Sequence, residues 1–250
     1  MTDADSTLQP VPDALLAPRP DAQDRLGGLS APDPAALNRT HDMAGLRARG
    51  GLVVRSIEDR RRALVAARVA RCGGGVAIDV GCEDGWIASA YADRMTQTVL
   101  VDVDPAMLER ARARAIPRAR TLVADAAAVG AVPPASADVV VLSAILEHVA
   151  DPRAVLGAWA AALRPGGRFV VYVPADRPIL ALKRALRVTH LARLVRGISL
   201  EPAPGHVRVF SRRALVRLLR PFGVLEELEF DPVCLGYAAT VRVPAATDGS

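Results

Sequence analysis

The stretch VAIDVGCEDG, residues 76–85, decides the fold of this 250-residue chain. Its first five residues are apolar except for Asp79, and a short apolar run of this kind is typical of a buried strand. Gly81 and Gly85 follow, and glycine lets the backbone turn sharply and approach a ligand at the start of a helix. An ordinary strand-to-helix turn would also use these glycines. Because a buried carboxylate is costly without a partner, Asp79 favours a ligand-binding turn.

Four more apolar runs of strand length follow this turn, at residues 98–103, 120–125, 137–143 and 168–174. Helical patterns lie between them: one begins at about Gly85, one is capped by Asp104, and one runs through residues 155–163. Another helix, capped by Ser56, precedes the first strand. Apolar strands separated by helices predict an α/β fold with a Rossmann-like, doubly wound, mainly parallel sheet that is covered on both faces.

The chain departs from this rhythm after the fifth strand. Residues 176–207 are basic and largely helical in pattern, and we predict that they form a cap inserted over the binding site. Ser211 then caps a helix that runs to about residue 223. The segments VLEELEF and GYAATVRV alternate in the manner of strands and are expected to pair as an antiparallel closing hairpin.

Composition sets the predicted domain boundaries. Residues 52–245 are expected to form one binding domain, which includes the cap. Residues 1–40 contain many Pro, Ala and Asp residues without a sustained period. Such a composition cannot bury enough apolar surface to order itself, so these residues are predicted to be a flexible tail.

Two further acids end the second and third predicted strands. Asp102 lies about twenty residues after the glycine turn, where a carboxylate can accept hydrogen bonds from both hydroxyls of a ribose. Asp125 could accept from the exocyclic amine of a purine, or could simply cap the turn before three alanines. The carboxyl ends of parallel strands meet at one edge of the sheet. Together with Asp79, these acids therefore predict a nucleoside-like ligand.

The ordered set of motifs resembles the class I S-adenosylmethionine-dependent methyltransferases, especially the broad group related to ubiquinone-biosynthesis methyltransferases. The segments that carry the resemblance are VAIDVGCEDG, VLVDVDPAMLERAR, LVADAAAV, ADVVVLSAILEHVADP, LRPGGRFVVYVP and GHVRVFSRRAL. They occur in the order of the family and cover most of residues 76–223. The resemblance implies a methyltransferase whose cofactor is S-adenosylmethionine.

The resemblance also implies roles for individual residues of this chain. The residues that would line the methionine end of the cofactor are Asp79, Gly81 and Gly85, with Cys82 and Glu83 between them. Asp102 would hold the ribose. The residues that would border the adenine are Val103, Met107, Asp125 and Ala126. Ser143, at the end of the fourth strand, would lie beside the cofactor.

Glu83 departs from the family pattern, which usually has glycine in the middle of this turn. If the backbone there needs φ > 0, a glutamate costs about 1 kcal/mol or more. Its side chain would face either the cationic amino group of the cofactor or solvent. A nicotinamide-dependent dehydrogenase is the competing nucleotide-binding class. Its G-x-G-x-x-G fingerprint, however, needs glycine where this chain has Glu83 and Trp86.

Methyl transfer from a sulfonium mainly requires that acceptor, methyl group and sulfur be aligned. A base helps when the acceptor is a hydroxyl or an acidic carbon, and histidine suits neutral pH. The candidates are His206, which follows EPAPG, and His148, which lies just after the fourth strand. A histidine at the position of His148 can also have a structural role. Tyr172 and Asp176, at the end of the fifth strand, could also reach an acceptor.

The predicted acceptor is an oxygen or carbon of a small metabolite in a biosynthetic pathway. The residues after the fourth strand read Ser-Ala-Ile-Leu and lack the Asn/Asp-Pro-Pro-aromatic pattern of methyltransferases that modify amino groups of adenine or glutamine. Arginines of the insertion would bind an anionic acceptor, such as a phosphate or carboxylate, or would lie in solvent. The competing hypothesis is a methyltransferase-like domain that binds cofactor or a partner subunit without catalysis.

Composition argues against several other classes of protein. The formal charge is +5, but Lys183 is the only lysine, the arginines are spread along the chain, and aromatic residues make up 4%. Nucleic-acid binding is therefore not expected. The three cysteines match no metal-ligand spacing and no disulfide framework, so no metal site is expected. No segment has the length and pattern of a membrane span or a secretory signal, and we expect a cytoplasmic monomer or homodimer.

Overall fold

The computed structural model describes Gly45, Arg47 and residues 51–128, 130–175 and 210–245. Four sequence predictions fall outside the described residues: the tail at residues 1–40, the cap at residues 176–207, Asp176 and His206. They therefore stay predictions.

Strands and helices alternate along most of the described chain. In chain order the elements are α1 (Leu52–Arg71), β1 (Val76–Val80), β2 (Gln97–Asp102), α2 (Pro105–Ala113), β3 (Ala119–Val123), β4 (Ala137–Ser143), α3 (Pro152–Ala160), β5 (Leu163–Pro174), α4 (Arg212–Leu219), β6 (Val224–Asp231) and β7 (Gly236–Arg242). The predicted caps Asp104 and Ser211 are confirmed, since each side chain accepts a hydrogen bond from the first turn of its helix. None of the helices in the described ranges is long and apolar enough to cross a membrane.

In the described part of the chain, the seven strands form one sheet in the order β3-β2-β1-β4-β5-β7-β6. Neighbours among β1 to β5 are parallel, whereas β7 is antiparallel to both β5 and β6. The strand order reverses between β1 and β4, and sheets of this kind bind ligands at such a switch point. The predicted Rossmann-like, mainly parallel α/β sheet with an antiparallel closing hairpin is confirmed.

Both faces of the sheet are covered, and successive residues of β1 contribute to opposite faces. Ile78 packs in one apolar cluster with Trp159 of α3. Ala77 packs in the other cluster, with Val65 of α1. Because side chains along a strand alternate with a period of two, Asp79 projects to the same side as Ala77 and α1. The candidate site is therefore built between the end of β1 and helix α1.

The α-helix predicted from about Gly85 is wrong. The chain forms only two short 3-10 turns, Ala88–Ala90 and Ala92–Arg94, before β2 begins. Tyr91 lies between them with a non-helical backbone, φ −133° and ψ −13°. Its side chain is buried, and its hydroxyl donates a hydrogen bond to Asp79. This tertiary contact outweighs the local preference for a regular helix.

The predicted ends of two helices also need correction. Helix α1 begins at Leu52, with Gly51 in the N-cap position, and not at Ser56. The amide of Arg55 donates to the carbonyl of Gly51 at 3.2 Å, so helical hydrogen bonding starts about one turn earlier than predicted. The helix expected through residues 155–163 is Pro152–Ala160, because Asp151 caps it at its N-terminus.

Candidate functional site

A pocket lies at the carboxyl ends of β1 and β4, where the strand order reverses. Its lining residues are Arg61, Asp79, Gly81, Cys82, Glu83, Trp86, Ile87 and Ser143. Five of these were predicted from the sequence as cofactor-binding residues: Asp79, Gly81, Cys82, Glu83 and Ser143. Arg61, Trp86 and Ile87 were not predicted. The structure thus brings together the first acid, the glycine turn and the end of the fourth strand.

Asp79 is a buried acid, with 2% of its surface exposed. The Tyr91 hydroxyl donates to its Oδ2 at 2.8 Å. Burial raises the pKa of Asp79 to about 7, although the Tyr91 hydrogen bond opposes the shift and the carboxylates of Glu83 and Asp102 add to it. A carboxyl group at this pKa is partly protonated in the free protein at neutral pH. A cation in the pocket would favour its ionised form.

Asp102 fastens the glycine turn to the end of β2. Its Oδ2 accepts from the amide of Glu83 at 2.9 Å, and its Oδ1 accepts from the amide of Asp104 at 2.9 Å. Each carboxylate oxygen can accept more than one hydrogen bond. Asp102 can therefore hold the turn and still accept from a ligand.

The turn between β1 and the 3-10 segment needs the left-handed backbone region at three places. Gly81 has φ +70°, and a Cβ atom there would lie 2.8 Å from Cδ1 of Ile145. Glu83 has φ +50°, which is strained for a residue with a side chain. Gly85 has φ +72°, and a Cβ atom there would meet Ile116. A side chain at Gly81 would therefore collide with Ile145 and one at Gly85 with Ile116, so packing requires both glycines, but only Gly81 is among the lining residues.

Arg61 is the charged residue among the three pocket residues that were not predicted from the sequence. It is 7% exposed, and its Nη2 donates to Oε2 of Glu58 at 2.7 Å. Burial disfavours the charged guanidinium, but the carboxylates of Glu58 and Glu83 outweigh it, and the pKa of Arg61 is raised. One signal was present in the sequence, because residues 54, 58, 61, 65 and 68 recur at helical spacing. Charged residues on the apolar stripe of a helix indicate buried ion pairs.

Three side chains of the pocket have buried polar atoms without a hydrogen-bond partner among the described residues: Nε of Arg61, Nε1 of Trp86 and Oγ of Ser143. Buried donors are nearly always paired, so such a group calls for a ligand or water. Arg61 is cationic and Trp86 is a donor only, so both suit acceptor groups of a ligand. Asp79 and Glu83 in the same pocket suit cations or hydroxyls.

A second network closes one side of the turn around Asp84. Arg47 donates to its Oδ1 at 2.7 Å, and Arg114 also pairs with this carboxylate. Burial would raise the pKa of Asp84, but the two arginines lower it below its usual value. The guanidinium of Arg62 lies 4.2 Å from the centre of the Trp86 ring. These contacts fix the Trp86 wall of the pocket.

The predicted adenine-side residues lie at the ends of the next two strands. Val103 and Met107 are half-buried around the start of α2. Oδ1 of Asp125 accepts from the amide of Ala127 at 2.7 Å, which is the turn-capping role that the sequence left open. The carbonyl of Ala126 accepts from the indole of Trp159 at 2.7 Å.

The three predicted catalytic residues are His148, Tyr172 and His206, and the structure describes the first two. His148 is half-buried in the turn after β4, and its amide donates to the carbonyl of Ile145. Tyr172 lies beside Ser143 in the sheet, and its buried hydroxyl donates to the carbonyl of Cys234 at 2.9 Å. Burial raises the pKa of Tyr172 well above its usual value. His206 lies outside the described residues.

A doubly wound sheet with acids at the strand ends and a glycine turn at its switch point defines a class of α/β proteins that bind nucleoside cofactors. Within this class the chain belongs to the methyltransferase domain family, because its residues 57–224 match the model of that family. Its cofactor is S-adenosylmethionine. The resemblance to S-adenosylmethionine-dependent methyltransferases is confirmed. The buried donors without a partner among the described residues and the acids of the pocket fit a ligand of this chemistry.

Two curated relatives are named ubiquinone biosynthesis O-methyltransferase. The protein from Idiomarina loihiensis is 39% identical over 94 residues, which are 36% of this chain and 39% of that protein. The protein from Xanthomonas campestris pv. campestris is 32% identical over 134 residues, which are 52% of this chain and 56% of that protein. The match thus spans about two fifths of the length of the first relative and just over half of the second.

The fold is shared with the crystal structure of the N-methyltransferase NodS from Bradyrhizobium japonicum in complex with S-adenosylhomocysteine. The TM-score is 0.60 at 17% identity, over 84% of this chain and 98% of that chain. At this identity the likeness shows the fold alone.

Proposed function

We propose that this protein transfers the methyl group of S-adenosylmethionine to an oxygen or carbon atom of a small metabolite. The observation that carries the proposal is the pocket at the switch point, which combines the acids Asp79 and Glu83 with the buried cation Arg61. The methionine end of the cofactor also carries both signs of charge. The Ser-Ala-Ile-Leu segment after β4 supports an oxygen or carbon acceptor, and the names of the two curated relatives support oxygen.

The cofactor would extend from β1 towards β3 along the ends of the strands. Arg61 would bind its carboxylate, using the Nε that has no partner among the described residues. Asp102 would accept from the ribose hydroxyls, because each oxygen of a carboxylate can accept more than one hydrogen bond. The predicted neighbours of the adenine remain Val103, Met107, Asp125 and Ala126.

The chemistry requires alignment more than activation. Bound S-adenosylmethionine supplies a methyl group on a good leaving group, and in-line positioning of the acceptor accounts for several kcal/mol of rate enhancement, roughly 7 or more in well-oriented cases. Ser143 lines the pocket at the end of β4, and its hydroxyl can donate a hydrogen bond to a bound molecule. A side chain at Gly81 would collide with Ile145, so the pocket is lined there by the glycine backbone.

A base is needed if the acceptor is a hydroxyl or an acidic carbon. We propose His206 for this role, with His148 as the alternative, because imidazole accepts a proton near neutral pH. Tyr172 holds its proton in the hydrogen bond to Cys234, and its ring lies under the guanidinium of Arg61, 5.9 Å from the ring centre. We therefore assign Tyr172 the role of holding the Arg61 guanidinium in position, and not that of a base.

Calorimetric titration with S-adenosylmethionine and S-adenosylhomocysteine tests the proposal. We expect a Kd for S-adenosylmethionine between about 1 µM and 1 mM, the usual range for enzyme substrates. The acceptor is then sought by incubating small phenols, enols and carboxylates with the cofactor and measuring the mass increase of one methyl substitution. Absence of binding at about 1 mM cofactor would contradict the proposal.

A cofactor-binding domain without catalysis is the second candidate function. Glu83 favours it, because a strained glutamate replaces the glycine that is usual in the family at this place in the turn. This candidate shares the binding result but predicts no methylated product. Detection of a methylated acceptor that depends on the protein would exclude it.

Tyr91→Phe tests the role of Asp79 in cofactor binding. Removing the hydroxyl deletes a hydrogen bond that favours the charged carboxylate, so the pKa of Asp79 should rise above its present value of about 7. A further rise of about one unit would lower the ionised fraction about fivefold at pH 7. We expect the affinity for S-adenosylhomocysteine to fall by that factor at about pH 7 and to recover near pH 8.5. Titrations across this pH range measure it.

The matched control for this variant is Tyr237→Phe on β7, which removes a hydroxyl outside the pocket. It should leave the pH profile of binding unchanged. Parallel profiles for wild type and Tyr91→Phe would show that Asp79 does not interact with the bound cofactor.

A further inference from the structure

Glu83 is the feature of this pocket that distinguishes the chain from the usual family pattern. It lies in the middle of the glycine turn with φ +50°, a conformation that favours glycine. Its side chain lines the pocket and keeps 35% of its surface exposed. The backbone amide of Glu83 donates a hydrogen bond to Asp102, which holds the Cα atom of Glu83 in position. A carboxylate held at a strained position in a binding pocket suggests a function of its own.

The Glu83 carboxylate lies near two arginines but accepts no side-chain hydrogen bond from the described residues. The nearest recorded cation among the described residues is Nη1 of Arg47 at 3.7 Å, beyond hydrogen-bond distance. Arg47 pairs with Asp84 through its Nη2 at 2.7 Å, and Arg61 pairs with Glu58 through its Nη2, also at 2.7 Å, so neither arginine donates a hydrogen bond to the Glu83 carboxylate. Among the described residues, the charged and titratable groups that act on Glu83 or adjoin it are Arg47, Glu58 and Arg61 from the helical side, Asp79 and Cys82 from β1 and the turn, Asp84, and Asp102 from β2.

We propose that Glu83 binds the α-ammonium group of the methionine end of S-adenosylmethionine, while Arg61 binds the carboxylate of the same end. This inference rests on the proposed function of the pocket as the cofactor site. Two side chains of opposite charge in one pocket match the two charges of an α-amino acid. With glycine at this position, the ammonium group would lack this carboxylate.

A linkage between binding and protonation follows from this arrangement. Glu83 and Asp79 lie in the same pocket, and burial raises the pKa of each to about 7. An ammonium group stabilises the ionised carboxylates and therefore lowers both pKa values in the complex. The complex then holds fewer protons than the free protein, so binding releases protons and affinity rises with pH until both groups are ionised in the free protein.

The test compares Glu83→Gln and Glu83→Gly with wild type, using two ligands. S-adenosylhomocysteine carries the amino acid end, whereas 5′-methylthioadenosine has the same nucleoside and sulfur without it. We expect both variants to bind S-adenosylhomocysteine about tenfold more weakly and 5′-methylthioadenosine unchanged. Proton release, measured by calorimetry in buffers of different ionisation enthalpy, should also decrease in both variants.

Glu83→Gly separates loss of the carboxylate from damage to the backbone. Glycine accepts φ +50° without strain, so this variant should melt about 2–4 °C higher than wild type while binding more weakly. Ala135→Gly is the matched control, because Ala135 also has φ +50° but is exposed and is not among the pocket residues. It should raise the melting temperature and leave both affinities unchanged.

Each outcome has a distinct meaning. If Glu83→Gly binds S-adenosylhomocysteine as tightly as wild type, the ammonium assignment is overturned and the cofactor site stands. An equal loss for both ligands also overturns it, since the carboxylate would then act on the turn and not on the amino acid end. If wild type binds neither ligand, the proposed function itself fails.

Discussion

Asp102→Asn is expected to weaken the binding of S-adenosylhomocysteine by about 100-fold. The carboxylate accepts from the amides of Glu83 and Asp104, and the proposed complex adds the ribose hydroxyls. Asparagine keeps the shape but replaces one acceptor oxygen with an NH2 donor, which would face a backbone N–H or a hydroxyl. Losing charge-assisted hydrogen bonds of about 1.5–3 kcal/mol each gives a loss of this size. Calorimetric titration measures it.

Asp104→Asn is the matched control for this experiment. It makes the same chemical change two residues away, and asparagine is as good an N-cap for α2 as aspartate. Its affinity should stay within about twofold of wild type. Asp102→Asn should weaken 5′-methylthioadenosine as well, because that ligand also has the ribose. A folded Asp102→Asn variant with the affinity of wild type would show that the ribose is bound elsewhere.

Arg61→Met is expected to weaken the binding of S-adenosylhomocysteine at least about 30-fold and to destabilise the protein. The affinity falls because the cofactor carboxylate loses its cation. Stability falls because Glu58, which is buried, loses its partner at 2.7 Å and keeps only Nη1 of Arg47, which lies 3.9 Å away. Breaking a buried ion pair on one side typically costs about 3–5 kcal/mol. Thermal or urea unfolding measures the second effect, and titration measures the first.

Two variants separate these effects. Arg68→Met removes another buried arginine of α1, whose partner Glu229 is 49% exposed, so it should cost less stability and leave cofactor affinity unchanged. Glu58→Gln combined with Arg61→Met removes the stranded charge and should restore most of the stability, but not the binding of S-adenosylhomocysteine. Recovery of binding in the double variant would contradict the assignment of Arg61 to the carboxylate. The affinity for 5′-methylthioadenosine should stay unchanged in each folded variant of Arg61, Arg68 and Glu58, because this ligand lacks the carboxylate.

The sheet and the position of the site were accessible from local sequence patterns. Apolar runs of strand length alternate with helical segments, and this alternation leaves a doubly wound sheet as the arrangement that buries both faces. Asp79 and Asp102 stood out because an acid at the end of a buried strand has no packing purpose. The parallel topology then places both acids at the same edge. These inferences need only the spacing of apolar residues along the sequence and the free-energy cost of burying a charge.

Contacts between distant parts of the chain decided the rest. Arg61 belongs to the pocket because α1 packs beside β1, and a helical run of arginines does not indicate which of them faces a ligand. Tyr91 interrupts the predicted helix because its hydroxyl reaches Asp79.

The sequence by itself determined the alternating α/β pattern and predicted a cofactor site at the glycine turn and the strand-end acids, and it marked Glu83 as irregular. Only the tertiary structure placed Arg61, Asp79 and Glu83 around one pocket, where burial brings the pKa of both acids to about 7. The physical reason is that strand and helix formation depend on neighbours along the chain, whereas charge pairing and desolvation depend on neighbours in space.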